Sequence, residues 1–247
     1  MVPSLPPHPP PERSLVWLFD IDGTLLLTQG AGREALSAAL RDQFGVADDL
    51  SDIPFGGRTD TLILGDVCAK HGLAFHDGER ARFWERVAFH MRVLMDPPRG
   101  ALLPGVPALL DALSAEPTWV LALLTGNVSQ MARIKLSSFG VYDEFALGVF
   151  GEEAADRNAL ARVAVERAAD RHGVAPDRCV VVGDTEHDIA CARAAGARVV
   201  AVATGGRTPE QLAEHEPDLV LRDLTHTKLL WEWVGDSFGS TSPQGLE

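Results

Sequence analysis

Apolar runs of strand length, with no polar alternation inside them, set the strongest limit on how this chain can fold. The first covers residues 15–19, and others cover 118–124, 145–150, 179–182 and 198–202, with a shorter one at 219–221. A strand that is apolar on both faces must be covered on both. Helical patterns at 107–114, 128–139, 158–172 and 189–195 lie between these runs. In 158–172, Leu160, Val163, Ala164 and Ala168 share one face. Strands alternating with helices predict an α/β fold, a doubly wound parallel sheet with right-handed crossovers.

The segment 28–104 breaks the rhythm. It contains no clear strand, and 32–44, 59–71 and 77–95 all read as helices, the last repeating apolar residues at Phe83, Val87, Met91 and Leu94. This is too long for an ordinary crossover. It predicts a smaller inserted α-helical cap domain over 29–103, with the core formed by 15–28 and 104–234. The proline-rich residues 1–14 read as a disordered lead-in without an apolar signal region, and 235–247 as a flexible tail.

Hydrophobic residues make up 46% of the 247, enough for a real core. No run is long enough to span a bilayer. The net charge of −13 argues against nucleic acid and anionic membranes as partners, since both need a cationic surface. A small anionic substrate remains compatible, because a metal ion and a few donors can reverse the field inside one pocket. Cys68, Cys179 and Cys191 form no Cys-x-x-Cys pair and are odd in number, which predicts core thiols in a reducing, cytoplasmic setting.

Ligands of doubly wound sheets bind at the carboxyl tips of the strands. Asp20-Ile21-Asp22-Gly23-Thr24 follows the first run, and Thr125-Gly126-Asn127 the second. The loop after the third holds Arg157, and Gly183-Asp184-Thr185-Glu186-His187-Asp188 completes the fourth. Asp20, Asp22 and Asp184 gathered at one edge would repel one another without a cation. Hard oxygen ligands with room for water and phosphate suit Mg²⁺, and no Cys/His cluster has zinc spacing. A carboxylate can attack phosphorus, and a neighbouring carboxylic acid can protonate the leaving oxygen and then activate water. Thr125 and Gly126, at the start of a helix, fit a phosphate cradle.

Asp20-Ile21-Asp22-Gly23-Thr24-Leu25, Thr125-Gly126-Asn127 and Gly183-Asp184-x-x-x-Asp188, in this order and after these runs, resemble the first, second and fourth motifs of the haloacid dehalogenase superfamily. The resemblance covers residues 15 to 230 and implies a Rossmann-like core with Mg²⁺ as cofactor. It implies that Asp20 is the nucleophile and a metal ligand, and that Asp22 is the acid/base with its backbone carbonyl on the metal. Asp184 would be a ligand, and Asp188 a ligand or an anchor. The third motif of the family is a lysine. Here Arg157, 32 residues beyond Thr125 in sequence, is the expected phosphate-binding cation. Lys135 is the rival, but its place in a helix reads as solvated surface.

In the cap, Phe55-Gly56-Gly57-Arg58-Thr59-Asp60 reads as a turn before a capped helix, or as a loop placing Arg58 over a carboxylate or second anion of the substrate. His187 is expected at the rim. Trp84, Phe83 and Phe89 are expected to pack cap helices, and Glu152 and Glu153 to be solvated. The function expected is hydrolysis of a small phosphorylated metabolite through an aspartyl-phosphate. The layout resembles the phosphoglycolate phosphatase branch, and phosphoglycolate, sugar phosphates and nucleotides all stay open. A sugar-phosphate mutase shares Asp-x-Asp and is the alternative; a non-catalytic phosphate-binding regulator would be expected to lack one core acid, and none is lacking.

Overall fold

The structure is a computed structural model that describes residues 14–76 and 78–239. The elements, in chain order, are β1 (Leu15–Phe19), β2 (Leu26–Leu27), α1 (Ala31–Phe44), α2 (Asp60–His71), α3 (Glu79–Leu94), β3 (Ala101–Leu102), α4 (Val106–Ser114), β4 (Trp119–Leu124), α5 (Ser129–Ser138), β5 (Leu147–Val149), α6 (Arg157–His172), β6 (Cys179–Gly183), α7 (Glu186–Ala194), β7 (Arg198–Val202), α8 (Pro209–Ala213), β8 (Leu219–Leu221) and α9 (Thr227–Phe238).

Six strands form one parallel sheet in the order β5-β4-β1-β6-β7-β8. The doubly wound α/β fold expected from the apolar runs is the one found. β1 lies in the middle, with Val16 opposite Val120 on one side and Cys179 on the other. All five of its residues are fully buried, as an unbroken apolar run requires. Alternate side chains serve opposite faces. Leu15, Trp17 and Phe19 pack with Leu109 and Leu113 of α4, Leu136 of α5 and Trp231 of α9. Val16 and Leu18 pack with Leu160 and Ala164 of α6 and with Ile189 of α7.

Helices α1, α2 and α3 form a third cluster around Leu36, Leu40, Leu64, Phe83 and Met91. Val128 and Met131, beside and within α5, join this cluster, so the helical insertion sits on the core through the start of that helix. The chain leaves the core after β2 and re-enters it through β3, and these two strands pair antiparallel. This small ribbon corrects the expectation that 28–104 holds no strand.

Other readings need correction. α9 continues through Gly235 to Phe238, with Leu230, Trp231 and Val234 buried, so 235–238 is helix and not the start of a flexible tail. The expectations for 1–13, for Asp77 as a helix start and for 240–247 lie outside the described residues. Cys179 and Cys191 are buried, and burial pushes both thiols up to about 12, whereas Cys68 is only half-buried. Phe89 is 57% exposed and packs nothing in the insertion's core. Glu152 and Glu153 are exposed, as their solvated reading expects, and each also has a partner: Ser129 donates its backbone N–H to Glu152 (2.9 Å), and Glu153 pairs with Arg167 (2.6 Å). Among the described residues, no helix is long and apolar enough to cross a membrane.

Candidate active site

The central strands end together, and their tips carry the polar residues. Asp20 extends β1 by donating its backbone N–H to the Val182 carbonyl (3.0 Å). The chain then folds back, with Leu25 and Leu26 donating to the Ile21 carbonyl (2.9 and 3.1 Å). Gly23 takes a positive φ of 86° in this turn, and a β-carbon there would lie 2.5 Å from Asp184 Oδ2. Glycine is therefore required twice, for the turn and for the approach of Asp184. The Thr24 hydroxyl donates to Asp184 Oδ1 (3.2 Å), tying the first motif to a residue 160 positions later.

Asp184 follows β6, and Asp188 lies in the first turn of α7. One oxygen of Asp188 accepts from the Thr185 N–H (3.0 Å) and hydroxyl (2.7 Å). Its other oxygen accepts from Arg157. Arg157 opens α6 behind Asp156, which accepts the Ala159 N–H (2.8 Å) as an N-cap. The Arg157 guanidinium also lies 3.2 Å from Asp20 Oδ1.

Asp20, Asp184 and Asp188 are all buried and each offers an oxygen, the three lying within 4.8 Å of one another. Burial raises the Asp20 carboxyl to about 6 against the pull of Arg157, with Asp188 and Asp22 adding to the rise. Burial followed by repulsion from Asp188 and Asp20 raises Asp184 to about 8. Burial opposes the Arg157 charge too, yet Asp188 and Asp20 hold its pKa well above the ordinary value. One guanidinium does not neutralise three carboxylates. An all-oxygen donor set of this size fits a hard divalent cation that keeps positions open to water and substrate.

Asp22 belongs to a different group. Its Oδ2 accepts from Lys135 Nζ (2.6 Å) and from the Asn127 side-chain amide (2.8 Å). Lys135 also donates to Asn127 Oδ1 (2.6 Å), and Asn127 donates to the Thr125 hydroxyl oxygen through Nδ2 (2.9 Å) and its backbone N–H (3.2 Å). Lys135 is only 5% exposed, which corrects its reading as a solvated surface residue. The two rival cations are both in the site, Arg157 on Asp20 and Asp188, Lys135 on Asp22 and Asn127. The signal for Lys135 was in α5: it lies four residues after Met131 and one before Leu136, on the buried stripe of the helix.

A chamber of about 580 Å³ lies over these groups. Asp20, Asp22, Gly126, Asn127, Arg157 and Asp184 line its polar side. Thr125 is fully buried beneath Asn127 and is not on the chamber wall. The insertion supplies further lining residues and is hydrogen-bonded to the core at several points. Asp60 donates its N–H to the Gly126 carbonyl (2.8 Å) and accepts the Val128 N–H (2.9 Å), and Thr61 donates to the Gly151 carbonyl (3.1 Å). His187 is at the seam, packed against Gly57. Arg58 lines the chamber, but Asp66 (2.5 Å) and the Pro54 carbonyl (3.2 Å) hold its guanidinium. Trp84 lines the chamber as well, in addition to packing on Phe83.

Residues 157–227 match the HAD-hydrolase-like family model. The chain is 31% identical over 222 residues to a phosphoglycolate phosphatase of Rhodospirillum rubrum, an alignment that covers 88% of this chain and 90% of that one. It is 25% identical over 220 residues to a 5'-nucleotidase of Pseudomonas aeruginosa, covering 87% and 94%. Among solved structures, CbbY from Rhodobacter sphaeroides, in complex with phosphate, superposes with a TM-score of 0.68 at 19% identity, covering 92% of this chain and 100% of that one. A parallel sheet that gathers acidic residues at its carboxyl edge, with this similarity, defines the class: the chain belongs to the haloacid dehalogenase-like hydrolases. Within that family it is a phosphatase.

Proposed function

We propose that this phosphatase is Mg²⁺-dependent and hydrolyses a small phosphate monoester in two displacements through an aspartyl-phosphate on Asp20. The observation that carries the reading is the approach of Asp20, Asp184 and Asp188 oxygens to within 4.8 Å of one another in a buried setting, with Arg157, among the described residues, as the cation paired with Asp20 and Asp188. Asp20, Asp184, Asp188 and the Asp22 carbonyl would hold the ion, which when bound neutralises the crowded carboxylates and the phosphoryl oxygens.

The residues of the chain divide the work. Asp20 attacks phosphorus, the ester bond breaks, and Asp22 gives its proton to the departing oxygen. Asp22 then takes a proton from water, which attacks the phosphorus bound to Asp20 and restores the carboxylate. General acid–base help of this kind contributes roughly 10²–10⁴-fold. Arg157 and the Gly126 backbone are the phosphate donors, and Thr125, buried off the chamber wall, supports Asn127 from beneath. Lys135 and Asn127 hold Asp22 in place. The insertion acts as a cap that encloses the ester and excludes bulk water. The relatives named above include a phosphoglycolate phosphatase and a 5'-nucleotidase, and the substrate proposed here is an ester of that small size.

The test is release of inorganic phosphate from p-nitrophenyl phosphate and a metabolite panel, with Mg²⁺ and with the metal chelated. Release that depends on Mg²⁺ and is lost in Asp20→Asn, a variant expected to keep the wild-type circular dichroism, supports the reading. Turnover retained by Asp20→Asn removes Asp20 as the nucleophile.

A further inference from the structure

The cations lining the chamber do not all have the same employment. They are Arg33, Arg58, Lys135, Arg157 and Arg207. Four of them sit on carboxylates: Arg58 on Asp66 (2.5 Å), Lys135 on Asp22 (2.6 Å), Arg157 on Asp20 (3.2 Å) and Arg207 on Glu186 (2.6 Å). Arg33, on α1, has no carboxylate and no hydrogen-bond acceptor among the described residues. Its guanidinium carbon lies over the Phe55 ring, 4.6 Å from the centroid. That cation–π contact holds the side chain in place and leaves its N–H donors without an acceptor among the described residues.

The wall around Arg33 is apolar. Leu36, Phe55, Ile63, Trp84 and Met131 line the same chamber, and Phe55 touches Arg33 itself. The chamber's volume of about 580 Å³ is that of a site for a whole small molecule, well beyond a phosphate group. The helical insertion is bonded to the core through Asp60 and Thr61 in the structure that has this volume.

We propose that Arg33 is a specificity-determining residue that binds a second anionic group on the leaving alcohol. The substrate class is then a phosphate monoester whose alcohol has an apolar body and ends in a carboxylate or a second phosphate. The phosphate docks at the strand tips, the body lies against the apolar wall, and the distal anion takes the forked donors of Arg33. The inference rests on the phosphatase reading and adds to it the chemistry of the far end of the substrate. It also moves the second-anion role away from Arg58, whose guanidinium already has Asp66.

Three esters with one body test it: benzyl phosphate, 4-carboxybenzyl phosphate and the bisphosphate of 1,4-benzenedimethanol. The wild-type enzyme with Mg²⁺ should favour at least one of the two distal anions over benzyl phosphate by roughly 10- to 100-fold in kcat/KM, the worth of a charge-assisted hydrogen bond or two. Which of the two is favoured separates a carboxylate from a phosphate. Arg33→Met should bring that ratio to within about threefold of one, and Arg33→Lys should restore part of it. A wild-type ratio near one, or a ratio unchanged in Arg33→Met, overturns the proposal. Calorimetric binding of the three corresponding phosphonates, which cannot be hydrolysed, reads the same ratio without turnover. Failure of every ester to release phosphate would therefore count against the phosphatase reading alone, and equal binding of the phosphonates against Arg33 alone.

Discussion

Asp22 has one oxygen committed and one free. Oδ2 takes two donors, Lys135 and Asn127, while no hydrogen bond reaches Oδ1 among the described residues. A carboxylate anchored in this way is held in place, and the proton transfer proposed for Asp22 depends on such placement. Lys135→Met should cut kcat/KM roughly 10²-fold for an alkyl phosphate, whose leaving oxygen needs a proton, and less than about tenfold for p-nitrophenyl phosphate, whose leaving group does not. Lys135→Arg should recover part of the loss. Equal losses on both esters would give Lys135 a merely structural role. Asp60 yields a different prediction, in stability. Burial raises its carboxyl from 3.8 to about 6, against the pull of Lys135 and the Val128 N–H. The folded state therefore keeps this proton after the unfolded chain has lost it, and Asp60's contribution to stability falls as pH rises from about 4 to about 6. Asp60→Asn keeps an acceptor for Val128 without the charge. Thermal melts should show the variant more stable above pH 6, the gap closing as pH falls towards 4; a gap that widens on acidification contradicts the assignment.

The contact between the loop before α2 and the loop after β4 is the element on which enclosure depends. A β-carbon on Gly126 would collide with the Arg58 carbonyl and crowd Thr59. Gly126→Ala should push that loop outward without unfolding the core, lowering kcat/KM several-fold mainly through KM, while the melting temperature drops by only a few degrees. An unchanged KM would show that the contact does not govern access. Most elements could be read from periodicity alone, because an unbroken apolar run buried on both faces, or a stripe such as Phe83, Val87 and Met91, leaves a clear pattern. β2 and β3 have two residues each and carry no period to detect. The first turn of α7 was missed because Glu186, His187 and Asp188 are polar for the sake of the site, which hides the helix they begin. α9 has no counterpart in the periodicity, and the small polar residues from Gly235 onward read as tail; packing of Trp231 against Trp119 and burial of Val234 carry a helix through Gly235 to Phe238.

At the scale of the molecule, one sheet brings together residues from four distant segments, and this much of the site was legible because strand tips are where ligands bind in such folds. What the linear chain hid depends on which face of a helix meets which loop. Lys135 reads as a surface lysine until α5 is seated against both the sheet and the insertion, where its stem is covered and its ammonium meets Asp22. Arg33 is one of 19 arginines until α1 turns it onto Phe55 over the chamber. The net charge of −13 tells of the outer surface and nothing of this pocket, which five cationic side chains line among the described residues. The central claim is that the fold exists to aim Asp20 at phosphorus, and a covalent trap tests it most directly. The enzyme turning over substrate with Mg²⁺ is quenched in acid, reduced with borohydride, which converts an aspartyl-phosphate to homoserine, and its peptides are sequenced by mass spectrometry. The account predicts homoserine at position 20; homoserine at position 22 or at any other aspartate contradicts it.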